Sequence, residues 1–379
     1  MTAVLTLSTP ADLSEADRAR WIELQRASRT YESPYFHPDW AAAVDRARGG
    51  VLIAVARDEA AASSRGGTSG GSDAVAFWPF ERQGRTAVSV GTPLSDYQGA
   101  VAAPGVVVDP RAFLRKAGVR RFRFDHLIAE QPGMDAFEDR PECSPYLDLT
   151  GGIEAYLQRC GKNGRRQVKT IQKKQSRLVD DHGPVVAETD CRDPEVLEQL
   201  LTWKSAQYLA TGLPDIFAAD WTRSLLHDLL ARSPQCTRDG FSGRLSALRC
   251  NGQLIAAHFG LRCGPVVHWW FPSYDESFGD YSPGWQLLVS MIEASEGEGI
   301  DRIDLGKGMS QFKRKAMSGS VALREGVIEH SALARNLRHA GQHMKERVKQ
   351  QLGDSTLRSL LQAPARWLFH QRVNATLKG

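Results

Sequence analysis

Two side chains in the second half of the chain have the chemistry to move a proton. His258 lies in an apolar stretch, and Asp304 is followed closely by Gly306 and Gly308, where a backbone can approach a ligand. Histidine titrates near neutral pH, whereas aspartate acts as a base only when burial raises its pKa. The sequence leaves two alternatives open for each: a general base, or a structural group in a strand for His258 and a turn cap for Asp304.

A nearby segment has the composition of an anion site. Ser282, Gly284 and Trp285 surround the start of a predicted helix, and helix N-termini bind phosphate through free N–H groups. Lys313 follows Asp304 by nine residues and could pair with it or with a phosphate. The same residues also fit an ordinary helix start with Ser282 as N-cap, so both interpretations stay open.

Two tyrosines flank this segment. Tyr274 and Tyr281 could protonate a departing group, and their alternative role is packing at the rim of a site.

The third feature is a run of positive charge. Residues 159–177 contain eight Lys or Arg and no acid. On a helix, spacings of three and four place Arg166, Lys169 and Lys173 on one face, with Arg165 beside them. This pattern predicts an anionic partner, such as a lipid-linked sugar diphosphate, tRNA or a nucleotide. A solvated helix face is the alternative.

The elements that must position these residues can be read from periodicity. Asn251-Gly252 predicts a tight hairpin turn, and the strand after it places Ile255, Ala257, Phe259 and Leu261 on one face. His258 then lies on the opposite face among small residues, where a ligand would have room. A helix is predicted over residues 285–296.

Other segments are assigned in the same way. Helices are predicted at 14–26, 38–47, 153–178, 194–211 and 219–232, and strands at 51–56, 74–80, 86–90, 121–127 and 145–149. Residues 132–144 are predicted to be irregular, and 60–73 a flexible Gly/Ser-rich loop. Ser95-Asp96-Tyr97 is predicted to be a turn within a loop, and the less favoured alternative is a loop that faces the substrate.

Bulk properties limit the class of protein. The chain has 379 residues, which favours two domains, and a net charge of +4, which indicates little about partners. We predict domains at 1–145 and 146–330, followed by a basic extension at 331–379. The six cysteines show no metal-ligand spacing, so we expect reduced thiols and no metal. No signal peptide or membrane span is apparent, and we expect a soluble cytoplasmic protein.

Residues 252–315 resemble the bacterial acetyltransferases related to the cellulose-synthesis protein CelD. These belong to the GNAT superfamily and are similar to the FemAB peptidyltransferases, which are tandem GNAT folds. The motifs are Asn251-Gly252, Ser273-Tyr274-Asp275, Ser282-Pro283-Gly284, Asp304-Leu305-Gly306 and Phe312-Lys313. The resemblance implies an α/β (α+β) fold of two GNAT-like domains, each a mixed, mostly antiparallel sheet flanked by helices. The glycine loop departs from the fuller GNAT pattern, since only Gly279 and Gly284 are present.

The resemblance also implies a reaction. It is transfer of an acyl group from acetyl-CoA or another acyl-CoA to an amino sugar of a lipid-linked or soluble exopolysaccharide precursor. A FemAB-like enzyme would use aminoacyl-tRNA instead, but no long helical arm is predicted and nucleic acid is not expected. A third alternative is an inactive scaffold that binds a nucleotide.

The layout is also similar to the holdfast-polysaccharide acetyltransferases of stalked bacteria, which respond to cyclic di-GMP. That similarity implies cyclic di-GMP as a partner. The extension at 331–379 mixes leucines and aromatic residues with arginines, a pattern that fits peripheral contact with the inner membrane or packing onto the second domain.

Overall fold

The computed structural model describes residues 3–58, 72–232, 240–331 and 338. The predicted flexible loop lies outside these ranges apart from residues 72 and 73. The predicted basic extension lies outside them apart from residues 331 and 338, together with the membrane contact expected for it. None of the helices in the described part of the chain is long and apolar enough to cross a membrane.

Thirteen strands of the described residues form one mixed sheet. They are β1 (Ala3–Ser8), β2 (Val51–Asp58), β3 (Ala74–Gln83), β4 (Thr86–Ser89), β5 (Val101–Ala102), β6 (Arg121–Ile128), β7 (Glu138–Asp148), β8 (Val185–Cys191), β9 (Ser242–Cys250), β10 (Gln253–Cys263), β11 (Val266–Tyr274), β12 (Arg302–Asp304) and β13 (Gly319–Glu329). Their order is β1-β2-β3-β4-β6-β13-β7-β12-β11-β10-β9-β8, and β5 pairs with β3 outside this path.

Nine helices of the described chain flank the sheet. They are α1 (Glu15–Arg26), α2 (Pro38–Arg48), α3 (Pro110–Ala117), α4 (Gly152–Arg159), α5 (Gly161–His182), α6 (Pro194–Ala210), α7 (Asp220–Ala231), α8 (Pro283–Ala294) and α9 (Gln311–Ala316). The single helix predicted at 153–178 is two helices, α4 and α5, which meet at Cys160. The prediction missed β1, β5, β8, β13, α3 and α9.

The two halves of the chain repeat one topology. In each half a strand is followed by two helices and an antiparallel set of three strands, and a helix then leads to a strand that pairs in parallel with the last of these. In the first half the parallel pair is β4 and β6, and in the second half it is β11 and β12. The two halves of the chain are therefore two copies of one fold.

The halves are joined by exchanged strands. β7 leaves the first half to pair with β12, and β13 returns from the end of the second half to lie between β6 and β7. β7 covers most of the segment that was predicted to be irregular, and that prediction was wrong because pairing with β13 along residues 138–146 stabilises a polar strand. The predicted domain boundary at 145/146 falls within β7.

Both faces of the sheet are covered. In β2, Val51, Ile53 and Val55 belong to one core shared with α1, α2, α6 and α7, whereas Ala54 and Ala56 face α3 on the other side. In the second half, α4, α5 and α8 cover this other side. The predicted α/β class is confirmed, and each strand face in this region has a helix layer to pack against.

A bulge interrupts the pairing of β10 with β11. The register shifts between Phe259 and Leu261, and a Cβ added at Gly260 would lie 2.1 Å from the carbonyl oxygen of His268. Only glycine lets the two backbones approach this closely. The bulge therefore sets the register with which β11 pairs with β10 beyond His268.

We predict that Gly260→Ala lowers the free energy of unfolding by about 2 kcal/mol, because the added methyl group must displace backbone. The matched control is Gly279→Ala, where a Cβ would meet nothing within 4 Å. Urea denaturation of both variants is the measurement. Equal stability of the two variants would contradict the assigned bulge.

Candidate active site

The parallel pair β11 and β12 separates within the second half. Pairing runs from Val266 and Arg302 to the last rung, where His268 faces Asp304 across the two strands. Beyond that rung β12 ends, while β11 continues to Tyr274 and the chain then enters α8. The opening between the strands therefore lies next to the N-terminus of α8.

Asp304 lies at this rung and is fully buried. Its Oδ1 accepts hydrogen bonds from Arg302 Nε at 2.7 Å and Nη2 at 2.6 Å, whereas Oδ2 has no partner within the described chain. The Arg302 guanidinium in turn lies 4.2 Å from the ring centroid of Tyr146. A buried carboxylate paired in this way balances the arginine charge. Its predicted role as a base stays a prediction.

His258 does not border open space, and that expectation was wrong. Its ring is fully buried and stacks on Trp269 with 4.0 Å between centroids, and its Nε2 accepts the N–H of Trp270 at 3.2 Å. Burial, reinforced by Arg244, holds its pKa well below the usual value. The reason is that α5 and α8 cover this face of the sheet.

The last rung instead places another histidine beside an acid from the first half. His268 is fully buried, and its Nε2 lies 2.8 Å from Asp96 Oδ2. Asp96 Oδ1 lies 3.3 Å from His126 Nε2, and His126 Nδ1 lies 2.9 Å from Asp125 Oδ1. A Cβ at Gly306 would lie 2.7 Å from Asp96 Oδ2, so this loop also approaches the acid closely.

The charges in this cluster are strongly coupled. Burial alone would raise the pKa of Asp96, but hydrogen bonds from His126 and His268 outweigh burial and hold the pKa well below its usual range. Burial would likewise lower the pKa of His126, but Asp125 and Asp96 raise it to about 9. Asp96 is therefore an anion and His126 a cation at neutral pH. With Nε2 directed at Asp96, His268 keeps Nδ1 buried and without a partner in the described chain.

The helix N-terminus beside the opening is not capped by a side chain. Ser282 has the N-cap position with φ 56° and makes no side-chain cap bond. Its hydroxyl instead accepts a hydrogen bond from Lys174 Nζ at 2.9 Å. The equivalent helix of the first half, α3, is capped by Asp109, which accepts the N–H groups of the first turn. Only the second half leaves this end of the helix open to an anion.

The other predicted residues of this segment have different partners. Trp285 packs on Phe312 with 4.6 Å between ring centroids. Lys313 does not pair with Asp304, and it does not lie on a solvated face. Its Nζ donates to the carbonyl oxygens of Gly306 and Lys307 at 2.8 Å each. Burial lowers its pKa. Lys313 therefore secures the loop after β12, and Gly284 remains next to the open helix end.

The two tyrosines lie apart from the last rung. Tyr281 donates its hydroxyl proton to Asp181 at 2.7 Å, which raises its pKa, and the Arg177 guanidinium lies 4.6 Å from its ring. Tyr274 ends β11 and is 41% exposed. Their predicted role as acids stays a prediction.

The basic run forms the outer face of α5. Arg165, Arg166, Lys169 and Lys173 are exposed, whereas Val168, Ile171 and Leu178 are buried. α5 packs against α8, and Lys174 connects the two through Ser282 and the carbonyl oxygen of Asp280. The cationic face therefore adjoins the open end of α8, and its anionic partner stays a prediction.

One cavity borders the cluster at Asp96, and a second one lies at Arg302. A cavity of 260 Å³ is lined by residues of the loop before Asp96, of α6 and its following loop, and of β11: Pro93, Leu94, Asp96, Tyr208, Leu213, Pro214, Ile216, Trp270 and Phe271. A larger one of 510 Å³ lies at the opposite end of β12 and includes Arg302 and Tyr146. No group of three or more His, Cys, Asp or Glu with the arrangement of a metal site occurs within the described ranges.

Sequence analysis did not single out His126, His268 or Lys174 as site residues, and at Asp96 it favoured a turn over a loop that faces the substrate. Asp96 lies in a segment that the sequence favours as a turn, and His268 lies in a strand whose composition indicates only a central position. His268 faces Asp304 across a parallel pair of strands, which the spacing of the two residues in the sequence does not reveal. The first half contributes Asp96 through a contact between residues 172 positions apart.

Comparison with known proteins identifies the second half. Residues 165–314 match the family model of the acetyltransferase (GNAT) domain. A search of curated proteins found no match to this sequence.

Solved structures are similar over most of the chain. The C-terminal domain of a putative lysylphosphatidylglycerol synthetase from Agrobacterium fabrum has a TM-score of 0.50 at 15% identity, over 86% of this chain and 95% of that one. FemX has a TM-score of 0.53 at 9% identity, over 85% and 98%. A tandem GNAT protein of the clavulanic acid pathway has a TM-score of 0.45 at 12% identity, over 86% and 98%. The chain thus contains a GNAT domain and is an acyltransferase, as predicted.

We predict that His126 stabilises the fold in a pH-dependent way. Its folded pKa of about 9 lies above the ordinary value of 6.5, so its contribution is complete below pH 6.5 and is lost as the pH rises through 9. Wild type should exceed His126→Gln by up to about 3 kcal/mol at pH 6 in urea denaturation, and by little at pH 10.

The control is His227→Gln, which removes a half-exposed ion pair with Glu198 and should cost less than about 1 kcal/mol. A difference between wild type and His126→Gln that does not change with pH would contradict the assigned charge.

Proposed function

We propose that this protein is an N-acyltransferase of the CelD-related type. It transfers an acyl group, in the simplest case acetyl, from coenzyme A to an amino sugar of an exopolysaccharide precursor. The observation that carries the proposal is the Asp96–His268 pair at the point where β11 and β12 separate, next to an uncapped helix N-terminus. In a GNAT domain, the separation of these strands is where a thioester meets an amine.

The residues at the end of α8 fit the phosphates of coenzyme A. The first turn of the helix offers N–H groups with no side-chain cap, and Lys174 is held at Ser282 by a 2.9 Å hydrogen bond. Among the exposed cations of α5, Arg177 pairs with Asp181 at 3.7 Å. Arg165, Arg166, Lys169 and Lys173 have no acidic partner in the described chain, so they can attract an anion at little desolvation cost. Coenzyme A, when bound, supplies the acyl group as a thioester.

The Asp96–His268 pair suits the proton transfer. A carboxylate that fixes one ring nitrogen of a histidine leaves the other nitrogen to accept a proton, which is the arrangement of an oriented base. His268 Nδ1 is that second nitrogen, buried and without a partner in the described chain. Asp304 and Arg302 neutralise each other's charge at the same rung.

The reaction balances with these groups. The acceptor ammonium gives one proton to the Asp96–His268 pair, and the free amine forms a bond to the acyl carbon. The carbon–sulfur bond breaks, and the second proton from nitrogen goes to the departing thiolate. Product release returns the pair to its starting state when the first proton leaves to solvent.

Aminoacyl transfer is the second candidate. Its support is the likeness to FemX over 98% of that chain, which is a likeness of fold. The cationic face of α5 would then bind the phosphates of tRNA. The two candidates differ in the acceptor and in the donor, and the donor is the partner whose binding separates them.

We predict that His268→Ala lowers kcat at least 100-fold with glucosamine as acceptor, because it removes the base, while the affinity for acetyl-CoA is unchanged. Release of free thiol measures kcat, and calorimetry measures affinity. His227→Gln is the control on the surface. If neither acetyl-CoA nor longer acyl-CoAs bind at millimolar concentration, the first function is excluded, and aminoacyl-tRNA becomes the donor to test.

We also predict that the double variant Lys173→Ala/Lys174→Ala weakens acetyl-CoA binding about tenfold or more, since it removes two cations near the phosphates. Lys162→Ala is the matched control, because it lies at the other end of α5 and about 18 Å away along the helix. Calorimetry at two salt concentrations is the measurement. An equal effect of the two substitutions would exclude this site for the donor.

A further inference from the structure

We propose that the 260 Å³ cavity beside Asp96 is the acceptor site and binds one amino-sugar ring, with the amine at Asp96 and the ring against Trp270 and Tyr208. This inference rests on the proposed function and names its substrate site. Three observations carry it: the composition of the cavity wall, the single charge in it, and its position relative to the last rung of β11 and β12.

The wall is aromatic and apolar. Trp270 and Phe271 come from β11, Tyr208 from α6, and the remaining apolar lining from the loops at 93–94 and 213–216. Aromatic rings present a flat face to which the C–H face of a pyranose can pack. At 260 Å³ the cavity is smaller than the ~300–1,000 Å³ of drug-sized sites, which fits one sugar ring better than an oligosaccharide.

Asp96 is the one charged residue among those that line this cavity in the described chain. Its two histidine partners hold the pKa of Asp96 well below the usual range, so the carboxylate is ionised near neutral pH. An ammonium group would pair with it, whereas a neutral sugar would bury the carboxylate without a partner on that side. The cavity therefore selects an amine.

The position joins binding to chemistry. Asp96 Oδ2 lies 2.8 Å from His268 Nε2, so an amine held at Asp96 contacts the carboxylate of the Asp96–His268 pair on the Nε2 side of the ring, and the pair receives its proton there. Trp270 lies two positions after His268 on β11, towards the end of the strand that leads to α8. The acceptor thus enters from the side of α6 and the 93–98 loop, and the donor from the side of α5 and α8. Each half contributes to this site.

The first test is binding without donor. Saturation-transfer NMR and calorimetry compare glucosamine, glucose and the linear amine cadaverine with the full chain. Glucosamine should bind at least tenfold more tightly than glucose, which lacks the amine, and than cadaverine, which lacks the ring. Equal binding of glucosamine and glucose would exclude the role of Asp96, and equal binding of cadaverine would exclude the role of the ring.

The second test locates the site. Asp96→Asn and Tyr208→Ala should each weaken glucosamine binding at least tenfold and leave acetyl-CoA affinity unchanged, and Asp96→Asn should abolish the preference over glucose. The control is Leu209→Ala on the same helix, since Leu209 is 68% exposed and does not line the cavity. Circular dichroism confirms folding, and Tyr208→Ala carries the test if Asp96→Asn does not fold.

Failure here differs from failure of the proposed function. If acetyl-CoA binds and thiol is released with an amine acceptor, while Tyr208→Ala leaves the KM of that acceptor unchanged, the acceptor site lies elsewhere and this inference is wrong. If no acyl-CoA binds but glucosamine binding depends on Asp96 and Tyr208, the cavity assignment holds and the donor assignment is wrong.

Discussion

The pairing of β13 between β6 and β7 is the constraint on which the rest of the structure depends. It makes one sheet of two similar halves, and so fixes the first half against the second along the full length of a strand. A linker alone would leave the halves free to move relative to each other. Because of this pairing, the loop that contains Asp96 meets the end of β12 within hydrogen-bonding distance of His268.

That contact is also an electrostatic constraint. Asp96 and His126 are half-buried charges and Asp125 is exposed, and His126 lies between the two carboxylates and pairs with both. The same pairing gives the cluster its chemistry, since it keeps Asp96 negative and directs one nitrogen of His268. Duplication of the fold supplied two equivalent positions, and only the second half kept a helix N-terminus without a side-chain cap. The equivalent helices of the two halves therefore differ at their N-termini, with Asp109 as a side-chain cap in the first half and no side-chain cap at Ser282 in the second.

Much of this architecture could be predicted from the sequence. The Asn251-Gly252 turn, α8 and the exposed basic face of α5 all lie where local periodicity placed them, because each depends on contacts within a few residues. The strand after the turn is also present, but Ile255 packs on the face opposite Ala257 and Phe259 because the register shifts between Leu254 and Ala256. The predictions failed where distant strands decide. β7 is polar, and most of it was predicted to be irregular. It is a strand because β13 pairs with most of its length and β12 pairs with its last residues. His258 looked accessible because a single strand does not reveal that a second helix layer covers its other face.

The sequence by itself determined the fold class, the acyltransferase chemistry and the segment in which the donor phosphates are expected to bind. The fold class and the chemistry follow from the resemblance of residues 252–315 to a known family, whereas local spacing gives only the order of turn, strand and helix along the chain. Only the tertiary structure decided which histidine lies beside which acid. The partners Asp96 and His268 are 172 positions apart, and their contact depends on the register of exchanged strands rather than on any property of the two segments alone. Pairing between distant strands is set by burial of both faces at once, and no local pattern contains that information.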